Sequence, residues 1–106
     1  MVELSDKELQ EARALNQQYQ LILAQKQSLS AKLSELENAL DEIKNAEGKI
    51  YYNAGSVLVE TDKKTIKERL EKQKKEIEEA LETVTTREQS IRKKIQELQK
   101  KAEQSS

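Results

Sequence analysis

The chain has 106 residues, 35% hydrophobic and 37% charged, with a net charge of −1 and no Pro, Cys, Trp, Phe or His. A compact globule carries roughly half apolar residues and several aromatics. Here only Tyr19, Tyr51 and Tyr52 are aromatic, which excludes a thick core but leaves open the narrow seam of a coiled coil.

The charge balance gives no global attraction for nucleic acid or anionic membrane. No stretch approaches the roughly 18 apolar residues of a membrane helix, and no basic-then-apolar leader opens the chain. A cytoplasmic protein that engages neither nucleic acid nor membrane is the expectation. Without Cys there is no disulfide framework.

A first helix is predicted over about residues 5–47. Ser5 followed by Glu8 makes a capping box, with Leu4 and Leu9 at the staple positions around it. Gly48 can adopt positive φ without steric penalty and so ends the helix. Within it Leu15, Ile22, Leu29, Leu36 and Ile43 recur every seven residues, and Tyr19, Lys26, Leu33 and Leu40 fill most of a companion row. A seven-residue apolar repeat is the coiled-coil period and argues against disorder.

Residues of about 49–61 differ in character. They are β-branched and aromatic, with Asn53-Ala54-Gly55-Ser56 as a turn, and predict one β-hairpin pairing Ile50 to Asn53 with Val57 to Glu60. A second helix is predicted over about residues 62–104, with Thr61 or Asp62 as N-cap. In it Leu70, Ile77, Val84, Ile91 and Leu98 recur every seven, joined by Leu81 and Ile95 and interrupted by Lys67, Lys74 and Glu88. Polar seam residues of this kind usually set register or loosen the coil.

The two heptad rows mirror each other. Ile43/Leu70, Leu36/Ile77, Leu29/Val84, Ile22/Ile91 and Leu15/Leu98 are symmetric about one centre at residues 56 and 57, inside the proposed hairpin. That symmetry predicts a helical hairpin with arms of equal length. Charge agrees: the stretch Glu3 to Glu47 holds nine acids and five bases, and Asp62 to Glu103 ten acids and thirteen bases. Exposed pairs are worth only tenths of a kcal/mol each, so they choose the partner more than they hold it. The basic run Lys63-Lys64 with Lys67 and Arg69 is interleaved with Glu68 and Glu71, which fits a solvated helix face rather than a nucleic-acid patch.

An isolated two-stranded hairpin is marginal in water and exposes edges that other strands can join. Val57, Leu58 and Val59 are apolar in succession, opposite Ile50, Tyr51 and Tyr52, so both faces of the sheet need cover. Several chains pooling their hairpins in a shared sheet or barrel would supply it. Ile50, Tyr51, Tyr52, Val57, Leu58 and Val59 are therefore the candidate oligomerisation residues.

The stretch Ile50 to Lys64, with its tyrosines, glycine, aliphatic strand and lysines, and the Gln-rich opening around Gln17-Gln18-Tyr19-Gln20-Leu21 resemble the prefoldin family, in particular its beta-type subunits. The resemblance covers nearly the whole chain. Tyr52 stands where a charged residue is common in the family. Alpha-type subunits carry two hairpins in the linker, and this one has room for a single hairpin. The resemblance implies a mainly α fold, a long antiparallel two-helix coiled coil with one β-hairpin at the bend, making one prefoldin-like domain over residues 1–106. It also implies a hetero-hexamer of this chain with alpha-type subunits, joined through a shared β-barrel. Such a particle captures non-native client proteins without ATP or cofactor and passes them to a group II chaperonin.

In such an architecture the chain ends form free tips. The candidate client-binding residues are Leu4, Leu9, Leu15, Leu21, Leu23, Ile91, Ile95 and Leu98, with Val2 and Ala102 beside them. Leu15, Ile91 and Leu98 are also seam residues, whereas Leu21 follows the heptad outward. Enzymatic chemistry has no support: no nucleophile–base set, phosphate loop or metal-ligand spacing occurs. The rival function is a structural coiled-coil adaptor that binds one folded partner and holds no clients.

Overall fold

Ser5 closes the first helix from outside, and in a computed structural model describing residues 4–104 the reciprocal bonds of the capping box are in place. The Ser5 N–H donates to Glu8 Oε1 at 3.1 Å and the Glu8 N–H to Ser5 Oγ at 3.2 Å. Two of the helix's unsatisfied N-terminal donors are thereby paired. The elements follow in the order α1 (Asp6–Lys44), β1 (Ile50–Ala54), β2 (Val57–Thr61) and α2 (Lys63–Gln104).

α1 stops about three residues before the predicted end. Beyond Lys44 the backbone tightens, with Asn45 N–H bonding to Glu42 O and Ala46 N–H to Ile43 O. The Asn45 side chain also donates to Asp41 O, a local bond that competes with continued helix. Lys63 Nζ donates to the Lys44 carbonyl at 2.8 Å, so a cation from the start of α2 caps the negative end of α1. Gly48 does adopt positive φ, +84°, but in the connection rather than at the helix end.

The hairpin is one residue longer on each strand than predicted. Its antiparallel register runs from Ile50↔Thr61 to Ala54↔Val57, leaving Gly55 and Ser56 as a two-residue turn. Gly55 has φ +75° and Ser56 does not share the positive φ, the pattern of a type II′ turn, whose twist matches that of the flanking strands. Asp62 is the cap of α2: its carboxylate accepts from the Thr65 N–H at 2.7 Å and from the Thr65 hydroxyl at 3.0 Å.

The chain divides into two compact units, Met1–Ser28 with Leu81–Ser106, and Leu29–Ala80. In the terminal unit the first half of α1 runs antiparallel to the second half of α2, as the pairs Glu8–Lys101, Tyr19–Arg92 and Lys26–Glu88 record. Its buried apolar residues are Leu15, Ile22, Val84, Ile91 and Ala102, with Ile22 the most enclosed at 2% exposure. Burying a side chain of that size contributes about 1.5–3 kcal/mol. In the hairpin unit Ile66 is buried, while the seam residues Leu33, Leu36, Leu40, Ile43, Leu70 and Ile77 are half-buried.

Candidate functional site

Strand alternation sorts the hairpin residues onto two faces. Ile50, Tyr52, Ala54, Val57, Val59 and Thr61 share one face, on which Ile50, Tyr52, Val59 and Thr61 are half-buried. Arg69 of α2 lies over the Tyr52 ring, 4.6 Å from its centroid, so this face rests on the start of α2. Arg69 is therefore not simply part of a solvated basic run: its guanidinium stacks on an aromatic face, a contact worth about 0.5–1 kcal/mol.

The opposite face carries Tyr51, Asn53, Leu58 and Glu60. Tyr51 and Leu58 are diagonal neighbours across the strands, and Leu58 is 72% exposed. Val57, beside the turn, is exposed as well. The Lys49–Glu60 pair at 3.8 Å sits at the base of the hairpin, with both groups largely in water and so of little energetic weight. Of the six candidate oligomerisation residues, Tyr51, Leu58 and Val57 thus lie open, while Ile50, Tyr52 and Val59 are half-covered within the chain.

In the terminal unit Leu4, Ala12, Asn16, Ile95, Leu98 and Ala102 line an open groove of about 510 Å³. Three of the predicted tip residues, Leu4, Ile95 and Leu98, come together there with Ala102. Leu15 and Ile91 are buried in the seam instead, and Leu23 is half-buried. Leu9 is exposed, and Leu21 is 66% exposed, on a surface hollow it shares with Asn16, Gln17 and Gln20. Val2 lies outside the described residues.

Sequence reasoning missed a polar network in the same unit. Lys26 Nζ donates to Glu88 Oε2 at 2.8 Å, Arg92 donates to Glu88 Oε1 at 3.0 Å, and Arg92 also donates to the Tyr19 hydroxyl at 3.0 Å. Glu88 is 5% exposed and is a buried charged group among an otherwise apolar core. The hydrogen bond from Lys26 holds its carboxyl below the usual carboxylate range; burial pushes the other way, and the charges of Lys26 and Arg92 add to the lowering. The Tyr19 hydroxyl, followed by Glu88, strengthens the hold of Arg92 on its proton.

Lys26 and Glu88 are therefore not two separate interruptions of the seam but each other's partner. The sequence did hold a signal. They interrupt facing rows, carry opposite charge, and are nearly equidistant from the centre about which the apolar rungs are symmetric.

Among the described residues no helix is long and apolar enough to cross a membrane. A family model described as prefoldin subunit matches residues 6–105. Among solved structures, the prefoldin beta subunit from Thermococcus strain KS-1 is similar, with a TM-score of 0.90 and 25% sequence identity over 99% of this chain and 96% of that one. A search of curated proteins finds no match. Two long helices joined by one two-stranded hairpin, in a sequence matched by the family over nearly its whole length, lead to one assignment: this chain belongs to the prefoldin family of chaperone subunits and has the beta-type form.

Proposed function

We propose that the chain is a subunit of an ATP-independent holdase, which captures non-native proteins at its terminal unit and passes them to a group II chaperonin. Residues 1–106 act on this reading as one prefoldin-like domain in the cytoplasm. Copies of the chain join alpha-type subunits in a hetero-hexamer, and their hairpins merge into a shared β-barrel.

The observation that carries the reading is the exposed apolar surface of the hairpin. Leu58, Tyr51 and Val57 are exposed on a two-stranded sheet that pairs with no further strand among the described residues. Covering each such side chain yields about 1.5–3 kcal/mol, and closing the sheet removes its edges. The apolar groove of the terminal unit supports the second half of the reading, since reversible capture needs accessible apolar groups on a preformed surface.

Suppression of aggregation of a chemically denatured protein tests the function. The assembled subunit is expected to suppress it at stoichiometric levels without nucleotide. An adaptor that binds one folded partner would leave aggregation unchanged.

A further inference from the structure

Resting on the holdase reading, we infer that the groove of the terminal unit is built for an amphipathic helical segment of a non-native protein, about three turns long, rather than for an extended one. The groove walls are themselves helices. Ala12 and Asn16 stand one turn apart on α1, and Ile95, Leu98 and Ala102 follow one another at one-turn spacing on α2. The gaps between them repeat at about 5.4 Å, the helical pitch. A third helix with apolar residues at i, i+3 or i+4, and i+7 presents its side chains at the same interval. Same-face side chains of an extended segment repeat at about 6.6–6.8 Å, drift by roughly 1.3 Å at each step, and are half a period out after about four residues.

Backbone hydrogen bonding points the same way. A helix satisfies its own N–H and C=O groups. An extended segment would need partners from the walls, whose backbone groups from Ala12 to Asn16 and from Ile95 to Gln99 are bonded within α1 and α2. The polar side chains lining the groove are those of Asn16, Gln99 and Glu103, too few for a strand's worth of donors and acceptors.

The groove also continues an existing interface. It opens next to the seam where Leu15 and Ile91 are buried, so an added helix would extend the two-helix packing into a three-helix bundle. The short side chains of Ala12 and Ala102 let its axis approach closely.

Two labelled peptides of identical Leu, Gln and Lys composition test this against the full-length chain by fluorescence anisotropy. One spaces its leucines at helical intervals and the other alternates them. The helical peptide is expected to bind at least about tenfold more tightly. Ala12→Phe, which fills the groove, and Asn16→Trp, which narrows it from an exposed rim position, should each weaken that binding about tenfold with unchanged helix content by circular dichroism. Equal binding of the two peptides, or undiminished binding to both folded variants, overturns the inference. Aggregation suppression measured on the same samples separates the two levels. If it persists while the peptides bind equally, only the preference for helices fails. If the wild-type chain suppresses nothing, the holdase reading falls and the inference with it.

Discussion

Lys26 and Glu88 meet across the seam of the terminal unit, 2.8 Å from Nζ to Oε2 although 62 residues separate them in the chain. Glu88 is almost wholly enclosed and its second oxygen takes Arg92. Removing one cation from an enclosed carboxylate leaves its charge less well compensated, whereas replacing both partners with apolar groups is often neutral or stabilising. Lys26→Leu alone should therefore lower the thermal midpoint by several degrees. Lys26→Leu with Glu88→Leu should return it to the wild-type value or above. Thermal melts of the two single variants and the double variant, followed by circular dichroism, check the non-additivity.

The same pair predicts a pH dependence. Glu88 is held below its ordinary value of 4.5, first by the Lys26 hydrogen bond. Glu8 is lowered by the Ser5 N–H ahead of the Ser5 hydroxyl and Lys101, and Asp62 by the Thr65 N–H and hydroxyl. A carboxylate with a depressed folded-state pKa contributes stability above its unfolded pKa and loses it as pH falls through the folded value. All three shifts share this sign. The thermal midpoint should be level at neutral pH and fall as the pH drops below the ordinary carboxylate range. Glu88→Gln should make that fall shallower; an identical pH profile for the variant would show that Glu88 does not contribute to it.

Leu21 and Ile22 are sequence neighbours with opposite surroundings, one 66% exposed and the other 2%. Ile22→Ala leaves a cavity in the seam and should destabilise the terminal unit by about 2–4 kcal/mol. Leu21→Ala should cost less than about 0.5 kcal/mol. Denaturant unfolding of both variants tests the contrast.

Much of this was legible in sequence because the determinants are local or periodic. The heptads of Leu15 to Ile43 and Leu70 to Leu98 announce two helices, Ser5 with Glu8 marks where the first begins, and the glycine at 55 marks the turn. What stayed hidden depends on side chains reaching between elements. The early end of α1 reflects the Asn45 side chain and the lysine donated by α2, neither of which a periodicity reports. Ile66 falls outside the seven-residue rows, yet it is buried. Tyr52 reads from sequence as an oligomerisation residue, and only the structure shows Arg69, 17 positions on, over its ring.

Gly55 offers a test of the hairpin geometry. Its φ of +75° suits glycine, and a Cβ there would meet no neighbouring atom within 4 Å. Any loss in Gly55→Ala therefore comes from backbone strain, expected at about 1 kcal/mol. Replacement by D-alanine in a synthetic chain should preserve stability. Equal losses from the L and D residues would contradict a type II′ turn.

Native mass spectrometry of the chain mixed with an alpha-type prefoldin subunit, compared with the same mixture made from a Val57→Asp, Leu58→Asp variant, bears most directly on the role of the hairpin. Both residues are exposed, so the variant should keep its helical signal. The account predicts a hexamer for the wild-type chain and only smaller species for the variant. A variant that assembles to the same hexamer would contradict it.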